Sequence, residues 1–302
     1  MIFAAIDIGS NAARLLFANV FEKKGRIKAE KATLVRIPIR LGWDVFNDKS
    51  ISHERTDYLV NTLKAYRLLI DVYKPINYTA CATAAIREAS NKAEVLNRVK
   101  QETGITLRVI NGLEEAKIIS KYNDVGDLLL HPTTVYIDVG GGSTEVTILE
   151  NNRFVKSESF KIGTIRALHD SIDKDEWKRM KRWLVDLKKA GGNINSIGSG
   201  GNINKIVKLY GSKTNQSIDF PTLVNAYDHL RSYTVEQRIK KFGFRADRAD
   251  VIVPAAKIYA KAMEWAGISS ILAPKIGLAD GLVCDLYRKH TRQAQSLLGT
   301  IK

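Results

Sequence analysis

Two blocks in this 302-residue chain deliver an acid at the end of an apolar run and follow it with glycine and serine. The first is Asp7-Ile8-Gly9-Ser10-Asn11. The second is Asp138-Val139-Gly140-Gly141-Gly142-Ser143-Thr144-Glu145. Glycine lets backbone N–H groups approach an anion closely, so either turn can receive a phosphate. An acid beside a phosphate must act through a bound cation or its waters. For Asp7 the alternative is a turn-capping role in an ordinary hairpin. Three consecutive glycines lose much backbone entropy on folding, which makes sense where Gly140, Gly141, Gly142, Ser143 and Thr144 converge on an anion. Asp138 and Glu145 flank that loop and can both face a hard cation such as Mg²⁺; a flexible hairpin is the competing reading.

Three further blocks carry candidate chemistry. In Thr79–Ala89, Thr83 stands at a strand-to-helix junction, where helix N–H groups bind anions. Arg87, one turn later, can fork onto phosphate oxygens or form a surface ion pair. In Asn111-Gly112-Leu113-Glu114-Glu115-Ala116 the acidic pair opens a helix. That is ordinary dipole compensation, or a carboxylate placed to deprotonate a water attacking phosphorus. Gly198-Ser199-Gly200-Gly201-Asn202 is another glycine-rich strand-to-helix turn, a weak element by itself.

The elements that must position these blocks alternate between short apolar runs and helical spacing, the pattern of α/β architecture. Strands are predicted at Ile2–Asp7, Leu15–Phe21 and Ile27–Leu34, an antiparallel meander with Gly25 in its second turn. Leu59, Leu63, Tyr66, Ile70 and Tyr73 lie on one helix face, with Ser52 as N-cap. A strand at Asn77–Ala82 precedes one helix from Ala84 to Glu102 that ends at Gly104. A strand at Ile105–Ile110 and a helix at Gly112–Tyr122 follow. The pattern then restarts, with strands at Thr134–Asp138, Glu145–Glu150 and Arg153–Ile162, a helix at Lys174–Lys189 and a strand at Ile194–Ile197. Helices at Ile203–Leu209, Val235–Phe242 and Ala249–Ala266, a strand at Ile268–Leu272 and a helix at Ala279–Leu297 complete the chain. The expectation is a duplicated α/β fold with a ligand cleft between the halves. The domains are 1–120 and 121–302, the last helix (279–298) packing back on the first.

Composition narrows the classes. Hydrophobic residues make up 45% of the chain, enough for a sizeable core and too many for global disorder. No apolar run reaches the ~20 residues of a membrane span, and the first residues carry no basic leader pattern. Cys81 and Cys284 share no motif spacing, so neither a disulfide framework nor a cysteine zinc site is expected. These features point to a cytoplasmic protein with no membrane partner. The net charge is +15. Residues 1–120 carry 19 basic and 13 acidic side chains and residues 121–302 carry 28 and 19, so the excess is spread along the chain. Such a surface suits a polyanion or merely aids solubility. No DNA-binding motif accompanies it.

Paired turns of this kind resemble those of the actin-like, sugar-kinase and Hsp70 ATPase superfamily. Five blocks together resemble the exopolyphosphatase / guanosine pentaphosphate phosphohydrolase (Ppx/GppA) family: Ala5–Asn11, Ala82–Ala89, Asn111–Ala116, Ile137–Glu145 and Gly277-Leu278-Ala279-Asp280-Gly281-Leu282. They come in the family's order and nearly span the chain, as in its short two-domain form. The resemblance implies two ribonuclease-H-like (actin-like ATPase) domains with an inter-domain catalytic cleft. It implies Mg²⁺-assisted release of orthophosphate from inorganic polyphosphate, with Mn²⁺ as a substitute and K⁺ as an activator, in a homodimer. Glu115 matches the family's general base. Asp138 and Glu145 match positions that hold the metal or the attacking water, and Asp7 joins them as a third metal candidate. Ser10, Asn11, Arg87 and Gly141–Thr144 match phosphate-contacting positions; Gly9, Thr83 and Gly140 complete the set. Lys178, Lys181 and Lys205 are candidates for the path of a polyphosphate tail. The alternatives are guanosine pentaphosphate hydrolysis on the same site, a non-catalytic polyphosphate or nucleotide sensor, or a kinase of the same superfamily.

Overall fold

The computed structural model describes residues 1–120, 131–189 and 194–299. The chain opens with strands β1 (Ile2–Ile8), β2 (Ala13–Lys23) and β3 (Arg26–Ile37), followed by helices α1 (Leu41–Asp48) and α2 (His53–Tyr73). Next come β4 (Asn77–Ala82), α3 (Ala84–Glu88), α4 (Lys92–Thr103), β5 (Arg108–Val109) and α5 (Gly112–Ser120). A second series runs β6 (Thr133–Val139), β7 (Thr144–Glu150), β8 (Arg153–Phe160), α6 (Thr164–Leu168), α7 (Lys174–Lys189), β9 (Ile194–Ser199) and α8 (Gly201–Tyr210). It continues with β10 (Ser217–Asp219), α9 (Phe220–Arg231), α10 (Val235–Phe242), α11 (Ala246–Ala249), α12 (Ile252–Ala266), β11 (Ser270–Leu272) and α13 (Leu278–Gly299).

Two sheets result, ordered β3-β2-β1-β4-β5 and β10-β11-β9-β6-β7-β8. Each contains the same motif: a central strand pairs antiparallel with the next strand and parallel with a later one. β1 is almost wholly apolar because both its faces are covered. The hairpin turns are chemically apt. Lys24 and Gly25 between β2 and β3, and Asn151 and Asn152 between β7 and β8, all have positive φ. A two-residue loop of that form matches the right-handed twist of the flanking strands.

The contacts divide the described chain into two compact units. The first contains 1–41, 49–120 and 277–299; the second contains 42–48, 131–189 and 194–276. In the first unit α13 packs on β1, β2 and β4 and against α5. In the second, Val135, Ile137, Val146 and Ile148 form a core with Met180 and Leu184 of α7 and Ala262 and Met263 of α12. Residues of α1 join this second unit through Trp43, which meets His169 edge-on at 4.2 Å, and Phe46, which lies 3.9 Å under the Arg166 guanidinium.

Local expectations meet the structure unevenly. The Ser52 hydroxyl caps α2 by accepting from Arg55 N, and Gly104 closes α4 at φ +68°. The single helix expected over Ala84–Glu102 is instead two helices, α3 and α4. Asn91 breaks it, because its amide side chain pairs with both backbone groups of Ile51. The strand expected over Ile105–Ile110 shrinks to Arg108–Val109. Residues 121 and 122 of the helix expected over Gly112–Tyr122 lie outside the described residues.

Gly281 in α13 sits where a Cβ would overlap the Ile118 carbonyl of α5. Overpacking a tight helix contact is destabilising. The Gly281→Ala variant is expected to lose about 1–3 kcal/mol of stability in urea denaturation. An unchanged midpoint would mean that α13 does not dock on α5 this closely.

Candidate active site

In the first unit the candidate residues gather at the carboxyl ends of the parallel strands β1, β4 and β5, the usual place for ligands in α/β sheets. The β1–β2 turn is tight: Gly9 N donates to Ala12 O at 3.1 Å, and Ser10 is buried. Asn11 O holds Arg40 N at 3.0 Å. Thr83 N donates to Ile8 O at 3.1 Å, which sets the β4–α3 junction against that turn. The Thr83 side chain caps nothing. Arg87 Nη1 donates to Ile110 O at 2.9 Å, next to the first residues of α5. There Asn111 Oδ1 accepts from Glu114 N at 2.8 Å, and Glu115 N donates to Asn111 O at 3.0 Å.

In the second unit the glycine turn between β6 and β7 is pulled to one side by its carbonyls. Gly140 O and Gly141 O accept from Thr164 N and Ile165 N, at 3.0 and 2.9 Å. Gly142 O accepts from Arg166 Nε at 2.7 Å. Gly163 permits this closeness, since a Cβ there would overlap the Gly141 backbone. Gly140 N donates to Ser143 O at 2.9 Å. The N–H groups of Gly141, Gly142 and Ser143 make no backbone hydrogen bond among the described residues. Thr144 gives its one hydroxyl proton to Ile162 O at 2.6 Å, so this hydroxyl anchors the turn.

The carboxylates fall into two ladder rows. In the second unit β-register sets Ser199, Asp138, Glu145 and Ser159 side by side across β9, β6, β7 and β8. Asp138 and Glu145 are directly opposed, and Ser159 Oγ donates to Glu145 Oε1 at 2.7 Å. Ser199 Oγ is buried and has no hydrogen-bond partner among the described residues. Tyr259 binds the ends of β6 and β9 together: its hydroxyl accepts from Val139 N at 3.3 Å and donates to Ser199 O. Burial and the nearby Asp138 charge push the Tyr259 phenol far up, so it stays neutral. At Gly200 (φ +102°) a side chain would meet Asp138 Oδ1 at 3.2 Å, so the carboxylate lies close to the start of α8. The corresponding row in the first unit is Arg14, Asp7, Cys81 and Arg108. Here the opposed pair is acid and base, with Arg14 Nη1 2.8 Å from Asp7 Oδ2.

This comparison separates the three expected metal ligands. Asp7 is compensated by its own ladder partner. Asp138 and Glu145 place carboxylate oxygens side by side next to the Ser199 hydroxyl, a donor set that fits a hard divalent cation. Among the described residues no cluster of three or more His, Cys, Asp or Glu is arranged to hold a metal. Two carboxylates nonetheless suffice for Mg²⁺, which keeps waters and takes substrate phosphate oxygens. Gly163, Arg166, Tyr259 and Arg14 escape sequence reasoning. Only Gly163-Thr164, a Gly-Thr pair just after a strand, offers a local signal for any of them.

The duplicated sheet motif and two glycine turns define an α/β protein of the actin-like ATPase fold. The Ppx/GppA phosphatase family matches residues 33–290, and the chain belongs to that family. A solved Ppx/GppA family member from Aquifex aeolicus superposes with TM-score 0.75 at 27% identity, covering 96% of this chain and 98% of that one. An exopolyphosphatase structure from Cytophaga hutchinsonii gives TM-score 0.78 at 24% identity, over 93% and 96% of the two chains, a likeness of fold. Among characterised sequences, exopolyphosphatase 1 of Mycobacterium tuberculosis is 23% identical over 94% of this chain and 87% of its own length. A bifunctional 3-dehydroquinate synthase/phosphatase of Fusobacterium nucleatum is 29% identical over 89% of this chain. The match covers 44% of that protein, so the chain spans less than half of that relative. No described helix is long and apolar enough to cross a membrane.

Binding of a cation to the folded protein alone must raise its stability, by about 2.7 kcal/mol at a hundredfold excess over Kd. Millimolar Mg²⁺ is therefore expected to raise the melting temperature of the wild type, and Asp138→Asn or Glu145→Gln to abolish the rise. Equal Mg²⁺ shifts in all three proteins would remove the pair as a metal site.

Proposed function

We propose that this protein is an exopolyphosphatase, removing the terminal phosphate of inorganic polyphosphate by metal-assisted attack of water. The reading is carried by one observation. A glycine turn whose carbonyls are all tied back opens directly onto two opposed carboxylates. Its N–H groups suit phosphoryl oxygens, and the carboxylates suit the cation that accompanies them.

In this scheme Gly141, Gly142 and Ser143 of the second unit bind the terminal phosphoryl group, and Gly9 and Ser10 of the first unit form a further phosphate turn. Asp138 and Glu145 would hold Mg²⁺, which would neutralise phosphate oxygens. Glu115 takes a proton from the attacking water. A P–O–P bridge breaks, orthophosphate is released, and the shortened chain departs with the bridging oxygen. This is catalysis by positioning and electrostatics, as phosphoryl transfer generally requires. Asp7 is paired with Arg14.

The cations also favour an extended anion over a small one. Lys205, on α8, has its ammonium pKa lowered by burial and by the charges of Lys208 and Arg248. Crowded cations beside a glycine turn suit the successive phosphates of a chain. Lys178 is a weaker candidate, since it pairs with Asp175 at 2.8 Å.

The test compares orthophosphate release from long-chain polyphosphate and from guanosine pentaphosphate, with Mg²⁺. Polyphosphate is the expected substrate; release from the nucleotide alone would reassign the substrate and keep the chemistry. Glu115→Gln is expected to lower kcat about 10²–10⁴-fold on whichever substrate is used. Near-wild-type turnover in that variant would remove Glu115 as the base.

A further inference from the structure

We infer that Arg108 is a positioning residue for Glu115, clamping the first turn of α5 to the sheet. The inference rests on the proposed role of Glu115 as base.

Arg108 occupies a special place. It lies on β5, a strand of two residues, and pairs in register with Cys81, which pairs in turn with Asp7. Its guanidinium faces two ways. Nη2 lies 3.5 Å from the Cys81 sulfur, and Nη1 forms an ion pair with Glu114 Oε1. Burial pushes the Cys81 thiol up, so the sulfur stays protonated and neutral. One guanidinium thus links the strand row that ends in the Gly9–Ser10 turn to the helix that carries Glu115.

Glu114 is held at both ends. Its N–H is bound by Asn111 Oδ1 and its carboxylate by Arg108. Arg87 fixes the preceding carbonyl, Ile110 O, and Ile110 N donates to Ala82 O at 3.0 Å. The residue immediately before Glu115 is therefore contacted through both its main chain and its side chain. A helix start without this clamp can fray or rotate, and Glu115 moves with it.

The energetics separate this role from a structural one. The Arg108 side chain is 51% exposed and that of Glu114 37%. Half-exposed ion pairs contribute little to stability. A pair that adds little stability yet fixes the residue beside a catalytic carboxylate acts through geometry, where small displacements strongly affect rate.

The experiment measures kcat, KM and melting temperature on polyphosphate for Arg108→Met, Glu114→Gln, their double mutant and Arg108→Lys, with Glu115→Gln alongside. Each of the first two is expected to lose roughly tenfold in kcat. KM should stay within about twofold, and the melting temperature within about 2 °C. The double mutant should be no slower than the worse single, because both remove one interaction. Arg108→Lys, which keeps the charge without the fork, should recover part of the loss. Wild-type kcat in Arg108→Met while Glu115→Gln is inactive would overturn the inference alone. Losses that multiply in the double mutant, or that follow a fall in melting temperature, would also overturn it. An active Glu115→Gln would overturn both this inference and the reading of Glu115 as base.

Discussion

Two carboxylates directly opposed on an antiparallel ladder repel each other, and Asp138 and Glu145 are so placed. The surroundings oppose that strain. Ser159 donates to Glu145, and the start of α8 brings the positive end of its dipole near Asp138. Gly200 leaves room for that approach, and Tyr259 holds the ends of β6 and β9 at the spacing it requires. A hard cation, as proposed above, would add to that compensation.

The first unit repeats the geometry and reverses the electrostatics. Asp7 corresponds to Asp138, Arg14 to Glu145 and Cys81 to Ser199, each at the matching ladder position. The arginine neutralises its acid, so this row needs no cation. What remains is a rigid turn at Gly9–Ser10 and a row of side chains running through Cys81 and Arg108 toward α5. The two sheets share one scaffold. The partner position carries opposite charge in the two rows, Arg14 beside Asp7 and Glu145 beside Asp138.

The parts of this arrangement that were legible in the sequence are those written locally. Strand runs ending in Asp-x-Gly revealed the repeat, and Ser52 and Gly104 marked helix ends by their intrinsic chemistry. The start of α9 was equally legible and went unassigned: Asp219 accepts from Thr222 N, with Pro221 in the first turn. Other features depend on partners far along the chain. Asn91 breaks a helix only because Ile51 presents two backbone groups to it. Arg166 is indistinguishable from a surface arginine until the fold brings it to Gly142 O and the Phe46 ring. Arg87 reads as a phosphate ligand by its spacing from Thr83, yet one of its nitrogens serves Ile110 O. Residue type and spacing announce a phosphate turn, but which groups face the ligand is decided by long-range hydrogen bonds.

The same distinction applies to the net charge of +15. Many surface cations are answered by an acid three residues away on the same helix: Lys178 by Asp175, Arg231 by Asp228, Lys261 by Glu264. Such pairs are exposed, screened by salt and weak in their outward field. Lys205 differs, because the charges acting on it come from Lys208 and Arg248 and it is half-buried, where screening is weaker. It also lies in the first turns of α8, whose N-terminus adds a positive dipole end. The field a polyanion meets is therefore set less by the total charge than by the few cations that local pairing and solvent leave uncancelled. In the second unit Lys205 and Lys208 lie on the helix that begins beside Asp138.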